Sequence, residues 1–557
     1  MYDETIDSPR RPTLGRHCFR LGLTLVPLIA ALAFVLFTSL RCPLKDDIAW
    51  LLYVAREWLS GRQLYVDLIE VNPPMIVWIL SLPAALSGAL GVAAKLVAVP
   101  FFAACMLGSA GWCAKLVRGY GPLGTVPLPL FTVVGTVLLT LPGPEFGQRE
   151  HLLVAAALPY LCIFARSLDR AATRPVDETI AGILAGIGCA LKPQFLLAFA
   201  LLEIVGGMHG LKPLRRMIIS AAVTVFVYIV ALLLLYPAYF TSAIPLGLAL
   251  YGASDVGWLQ LLSDSRAVLL GDAAALLLWW TYRHKMSDSA LPLTLAVFAA
   301  GAILVWLLEG KSWFYHRLPA SILTALALLY WVAALPRPRV ARRPAFFAAI
   351  FALVALLGIG LAAFSRWQDE IEIAIGSHLT TERRLEQLIR SERARSYVAF
   401  SQWIGLGFPV VNNTGVIWSS RFDSMWALVG EVWRRKFDGN VPREWPVHRW
   451  VVDDFLAGCP DLAVIDEREG IDYVETLSSF DTRFKSSWSE YRQVAAFDGL
   501  RVFRRQASRS SVAGLRCTGG GAPPPPLTRS GGTDSGIRGN SRYPPLRLGM
   551  KGSDPFP

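Results

Sequence analysis

The sequence predicts a mainly α, polytopic membrane protein that carries a small α/β domain beyond its last span, and three observations support that fold class. The 557 residues are 54% hydrophobic and 17% charged, with a mean hydropathy of +0.44, more apolar than the core of a soluble chain of this length requires. The apolar residues come in runs close to the roughly 20 residues that a helix needs to cross a bilayer. The basic residues behind the net charge of +12 sit in short clusters between those runs, which reads as membrane topology and not as one nucleic-acid-binding face, so no nucleic-acid partner is expected. The eight cysteines are scattered without C-x-x-C or metal-ligand spacing and give no redox or metal signal.

The elements follow in order. Residues 1–20 hold Arg10, Arg11, Arg16 and Arg20 and are expected in the cytoplasm. The first span, Leu21 to Leu40, is too long for a removable signal peptide and lacks a small-residue cleavage site. Further spans are expected at Val92 to Ala114, Pro122 to Leu141, His151 to Leu168 and Met217 to Tyr236, then at Ala267 to Tyr282, Ala290 to Leu308, Leu318 to Leu335 and Ala345 to Phe364. Two shorter runs, Thr179 to Leu191 and Gln194 to Val205, meet at Lys192-Pro193. The run Pro73 to Gly91 is ambiguous by length. It is resolved by the basic clusters before Leu21, at Lys115/Arg118, Arg166/Arg170/Arg174, Lys212/Arg215/Arg216, Arg283/Lys285 and Arg337/Arg339/Arg342/Arg343. These all fall in the cytoplasm only if Pro73 to Gly91 lies in the outer interface as an amphipathic helix. Residues 21–365 then make about eleven crossings, with an outer interfacial loop over 41–91.

Beyond Arg366 the composition changes to charged residues and short alternating segments, and 366–506 reads as one α/β domain outside the bilayer. Thr381 to Arg395 has Leu385, Leu388 and Ile389 at helical spacing, Asp461 to Asp466 reads as a buried strand, and Asp498-Gly499 marks a hairpin turn within Val494 to Phe503. Residues 507–557, rich in Gly, Pro, Ser and Arg, are expected to be disordered.

On this topology four ionisable clusters share the outer face: Lys45-Asp46-Asp47, Glu145 to His151, Lys192, and Glu309-Gly-Lys311 through His316-Arg317. Ionisable groups at membrane depth are costly and usually line a cavity or a site, although wet outer loops would also hold them. Asp46-Asp47 opens an expected interfacial helix with Ala49, Leu52, Tyr53, Arg56 and Leu59 on one stripe. A carboxylate there is stabilised by the helix dipole, and a plain N-cap is an equal alternative. His151 beside Glu150 reads as a metal ligand or as a polar helix start. Lys192 marks a ligand site at a helix break, or a lysine snorkelling from a turn.

These residues resemble a family, the lipid-carrier-dependent glycosyltransferases of the GT-C fold, which includes protein O-mannosyltransferases and the transferases that add aminoarabinose or galacturonic acid to lipid A and lipopolysaccharide core. The segment Asp46-Asp47-Ile-Ala-Trp-Leu-Leu-Tyr-Val-Ala-Arg56, with Tyr65-Val-Asp67 and Asn72-Pro73-Pro74 after it, resembles the family's first outer loop. In that loop the first acid of the pair is catalytic, which falls here on Asp46. Gln148-Arg149-Glu150-His151 resembles the second outer loop, with Glu150 at the family's acidic position. Ala190-Leu-Lys192-Pro193 is similar to the family's lysine at a short-helix break, and Lys311-Ser-Trp-Phe-Tyr315-His316-Arg317-Leu318-Pro319 to its late Lys, Tyr, Leu-Pro motif.

The resemblance implies an inverting transfer of a sugar from a polyprenyl-phosphate carrier to the hydroxyl of a lipid, glycan or protein acceptor at the outer face of the inner membrane. Such a reaction needs a carboxylate to take the hydroxyl proton and cations to stabilise the departing phosphate. Asp46 is the expected base with Asp47 beside it, and Glu150 orients the acceptor or holds a divalent metal ion. Lys192, Lys311 and Arg317, with His316 and Tyr315, are expected at the donor. A metal, if used, would draw on Asp46, Glu150 and His151. The carrier's prenyl chain would lie among the spans and membrane lipid. A transporter or flippase of a lipid-linked or polar substrate is the competing class, because broken helices and buried charges serve it too, but no inverted repeat is visible. A structural membrane protein with an outer binding domain is the third class.

Overall fold

The computed structural model describes residues 14–119, 127–251, 257–284, 289–334, 343–377, 379–437 and 445–506. The tail expected to be disordered (507–557), the first residues of the cytoplasmic segment, and Lys285, Arg337, Arg339 and Arg342 lie outside these residues. Helix α1 (Leu14–Arg41) is followed by α2 (Asp46–Leu59), α3 (Met75–Leu90), α4 (Ala94–Leu116), α5 (Pro127–Thr140), α6 (Arg149–Leu168) and α7 (Pro175–Leu191). Then come α8 (Leu196–Met208), α9 (Arg216–Leu235), α10 (Ile244–Leu250), α11 (Trp258–Tyr282), α12 (Ala290–Glu309), α13 (Phe314–Ala334) and α14 (Arg343–Ile375). Among the described residues, α1, α4, α6, α9, α12, α13 and α14 are long and apolar enough to cross a membrane. The chain is thus a helical membrane protein, with α3, α5, α8 and α10 as shorter apolar helices.

The bundle is hydrophobic on both its inner and outer surfaces, as a lipid-embedded protein must be. On α9 the outward residues are Val223, Phe226, Val227 and Leu234, all exposed. With lipid on the outside, helices associate through close backbone approach. A Cβ on Gly182 of α7 would lie 2.3 Å from the Met217 carbonyl oxygen, and one on Gly186 2.9 Å from that of Ala221. The four-residue spacing of these glycines lets α7 lie against α9.

The two ends of the bundle differ in charge. At one end Arg166 donates to the Leu116 carbonyl (3.1 Å) and Arg170 to that of His209 (3.3 Å), Arg215 pairs with Glu203 (2.6 Å), and Arg283 lies over Trp280 (3.5 Å). The opposite end carries the acids, the Lys192 break and the C-terminal domain.

That domain begins with α15 (Thr381–Ser391), where the Thr380 hydroxyl accepts from the Arg383 amide, and Leu385 and Ile389 turn inward. The strands β1 (Ser396–Phe400), β2 (Ile417–Trp418), β3 (Leu462–Asp466), β4 (Tyr491–Phe497) and β5 (Leu500–Arg505) form one sheet in the order β2-β1-β3-β5-β4. The first three are mutually parallel, and β5 runs antiparallel to both β3 and β4. Asp498 (φ 52°) and Gly499 (φ 72°) turn the β4–β5 hairpin, the left-handed pair that a two-residue hairpin favours.

Three expectations are corrected. The border expected at Arg366 falls inside α14, which continues to Ile375, because Asp369, Glu370 and Glu372 are helix-compatible and merely leave the apolar stretch. Helix α2 is not a half-exposed interfacial helix, since every residue from Ile48 to Ala55 is buried. Its outward side is covered by the C-terminal domain, where Phe408 packs on Trp50 (5.0 Å) and Tyr53 (4.9 Å) and the Asn412 amide donates to the Ala49 carbonyl (2.7 Å). Helix α3 is not amphipathic, for its exposed residues Leu82, Leu86 and Leu90 are as apolar as its buried ones.

Candidate functional site

A cavity of about 250 Å³ lies where the acidic end of the bundle meets the C-terminal domain. Five segments build it: the start of α2, the 69–72 loop, the start of α6, the α7–α8 break, and the α12–α13 connection. Tyr251 and the C-terminal residues Ile404, Asp423 and Trp426 also line it.

The four clusters read from the sequence meet here. The Gln148 amide donates to the Asp47 carboxylate (3.1 Å), the Lys192 ammonium lies 2.7 Å from Glu150 and 3.3 Å from Glu309, and His316 Nδ1 contacts the second Glu309 oxygen. Lys192 holds its place because Pro193 cannot continue α7, and its backbone is extended at φ −143°, ψ 88°. Lys311 follows Gly310, whose left-handed φ of 68° ends α12, and its ammonium sits over the Tyr251 ring at 4.0 Å. Tyr315 and His316 also line the cavity.

The acidic pair divides. Asp47 lines the cavity, whereas Asp46 does not. Asp46 accepts the Asp47 amide (2.9 Å) and faces Lys45 (3.6 Å), which also pairs with Glu145 (3.8 Å). Of the acidic pair, Asp47 and not the expected Asp46 is the one that faces the cavity, because neighbouring helical residues point about 100° apart. Burial, and then the neighbouring Asp46 charge, push the Asp47 carboxyl up to about 7.

Two more site expectations are corrected. Arg317 turns out of the cavity and donates to the Asp264 carbonyl. His151 is no metal ligand: its Nδ1 accepts from the Gly147 amide (3.2 Å) and its Nε2 lies 2.8 Å from the Leu138 carbonyl. With Asp46 facing Lys45 and Glu150 held by Lys192, the three metal candidates do not converge. Among the described residues no three His, Cys, Asp or Glu side chains are grouped to hold a metal ion. Asp46, Glu150 and His151, as placed, do not form a site that fits a divalent ion.

The sequence reading gave no role to three residues that the fold brings in. Arg149, next to Glu150, lines the cavity at 6% exposure, and its Nε and Nη1 have no hydrogen-bond partner among the described residues. The Glu150, Asp47 and Glu70 carboxylates nearby offset its charge, and the two open N–H groups remain available to a ligand in the cavity. Glu70 accepts from the Asn72 amide (2.7 Å), from its side chain, and from the Trp50 indole. Asp423 enters from the C-terminal domain. The signal for Glu70 was the adjacent Asn72-Pro73-Pro74 turn; Asp423 belongs to no motif.

Chemically, the cavity sets a carboxylate of raised proton affinity beside a buried guanidinium. No protein-family model and no curated protein matches the chain.

Proposed function

We propose that the protein is a membrane glycosyltransferase of GT-C-like architecture that moves a sugar from a polyprenyl-phosphate carrier to an acceptor hydroxyl. On this reading the chain makes about eleven crossings of a bacterial inner membrane, with the N-terminus cytoplasmic and the C-terminal domain periplasmic. The positive-inside rule supports this orientation, because the arginine-rich end lies opposite the cavity.

The observation that carries the reading is Asp47 and Arg149 lining one cavity where the acidic end of the bundle meets the C-terminal domain. In the proposed step the acceptor oxygen bonds to the anomeric carbon as the bond from that carbon to the phosphate oxygen breaks. The hydroxyl proton passes to the Asp47 carboxylate, and polyprenyl phosphate leaves with the bonding pair, its charge met by Arg149. Lys192 reaches the same cavity, but Glu150 and Glu309 already share its charge; it orders the site more than it neutralises a phosphate. Lys311 adds a cation beside Tyr251. The acceptor is a lipid, a glycan or a protein.

The broken α7–α8 pair favours a second reading, a flippase of a lipid-linked substrate. One experiment separates them: purified protein in lipid is given a panel of polyprenyl-phosphate sugars, and both sugar transfer and movement of carrier between leaflets are measured for wild type and Arg149→Ala. Transfer that Arg149→Ala abolishes is the expected result. Leaflet exchange without transfer would establish the flippase.

A further inference from the structure

Resting on the transferase reading, we propose that Asp423 is a sugar-binding residue, through which the C-terminal domain holds the ring hydroxyls of the transferred sugar. Asp423 is fixed before any ligand arrives. Its Oδ1 accepts from the Ser424 amide (2.7 Å) and the Trp426 indole (2.9 Å), while its Oδ2 has no hydrogen-bond partner among the described residues, and the residue lines the cavity.

The turn that carries Asp423 is itself clamped. Arg421 is buried in an ion pair with Asp454 (2.6 Å), and its carbonyl accepts the Ile69 amide (2.8 Å), tying the C-terminal domain to the loop that carries Glu70. A side chain held this way is a preorganised acceptor.

Three further observations indicate a sugar ring as the ligand. The carboxylates of Glu70 and Asp423 stand among the rings of Trp50, Trp426 and Tyr251, apolar faces and fixed oxygen acceptors together, which suits a ligand with C–H faces and hydroxyl edges. Burial, and then the Glu70 and Asp47 charges, hold the Asp423 carboxyl well above the usual carboxylate range, the electrostatic mark of a group buried among other acids in this cavity. The cavity of about 250 Å³ is smaller than the pockets that enclose drug-sized ligands, and a single ring suits it. Arg149 lines the same cavity with Nε and Nη1 free of hydrogen-bond partners among the described residues, and on the transferase reading it meets the donor's anionic phosphate. A ring attached to that anion is the one group that every donor must bring inside, whatever the acceptor.

The test is binding of undecaprenyl phosphate, and of undecaprenyl phosphate carrying a hexose or a pentose, to the full chain in nanodiscs, for wild type, Asp423→Ala and Asp423→Asn. Wild type is expected to bind at least one sugar-bearing lipid about tenfold more tightly than the bare carrier. Asp423→Ala should lose that preference while binding the bare carrier like wild type, which also shows that the variant folds, and Asp423→Asn should keep part of it. With deoxy sugars, the hydroxyl whose removal weakens wild type should matter no longer in Asp423→Ala. A preference retained in Asp423→Ala, or no preference in wild type for any sugar, overturns the proposal. A preference that depends on Asp423 in a protein that transfers nothing leaves Asp423 a sugar-binding residue and removes the transferase reading.

Discussion

Asp47 is held where its charge is costly, and the sign of that cost gives two predictions. Its folded proton affinity, at about 7, lies above the ordinary carboxylate value of 3.8. The stabilisation that the protonated acid contributes is therefore complete below pH 3.8 and is lost as pH rises towards 7. As a base, Asp47 acts only when ionised, so kcat/KM should rise with pH up to about 7 and level off above it; a flat profile between pH 5 and 8 would contradict this. Asp47→Asn should unfold at pH 8 no more easily than wild type, measured by thermal melting in detergent. Lys192 has the opposite character. Lys192→Ala strips the fully buried Glu150 of its 2.7 Å cation, while Glu309 keeps His316 and Gln194, at an expected cost of about 3–5 kcal/mol, and adding Glu150→Gln to it should recover part of the lost stability. At this scale the sequence carried Lys192, Glu309, Lys311, Tyr315 and His316 into the site. By resemblance it chose Asp46, whereas Asp47 is the member of the pair that lines the cavity; with Ile48 to Ala55 all buried, no polar stripe marks which side of α2 faces the cavity.

Among the elements, α7 depends on its small residues and α2 on a cover that arrives more than 300 positions later in the chain. Replacing Gly182 by leucine would drive a side chain into the α9 backbone, where even a Cβ lies 2.3 Å from the Met217 carbonyl oxygen. Gly182→Leu should therefore lower stability by about 1–3 kcal/mol or more, read as a fall in melting temperature. The helices α6, α7, α12 and α13, the strand over 462–466 and the Asp498-Gly499 hairpin were legible from apolar length, β-alternation and turn chemistry. The amphipathic readings of α2 and α3 failed for physical reasons. Contacts of Ala49 with Asn412 and of Trp50 with Phe408 are not local in sequence, and apolar residues facing lipid look the same as apolar residues facing a core.

For the molecule as a whole, charge distribution was the most readable property. The arginine-rich end and the cavity end are separated by the length of α6, with Arg149 at its start and Arg166 in its last turn. This arrangement predicts orientation. A single cysteine at exposed Glu467 should react with a membrane-impermeant maleimide on spheroplasts, and one at Arg118 should react only after lysis; the reverse pattern would invert the topology. The contribution of the C-terminal domain to the site was not readable, because Asp423 gains its meaning only from the docking that places it beside Glu70. The proposed transfer depends most heavily on Asp47. Its direct test is sugar transfer from polyprenyl-phosphate donors by Asp47→Asn and Asp46→Asn, with donor binding measured in parallel. Asp47→Asn should lose at least about a hundredfold in transfer rate while still binding donor, and Asp46→Asn should stay within about tenfold of wild type. Wild-type transfer by Asp47→Asn, or a collapse confined to Asp46→Asn, would contradict the assignment of the base.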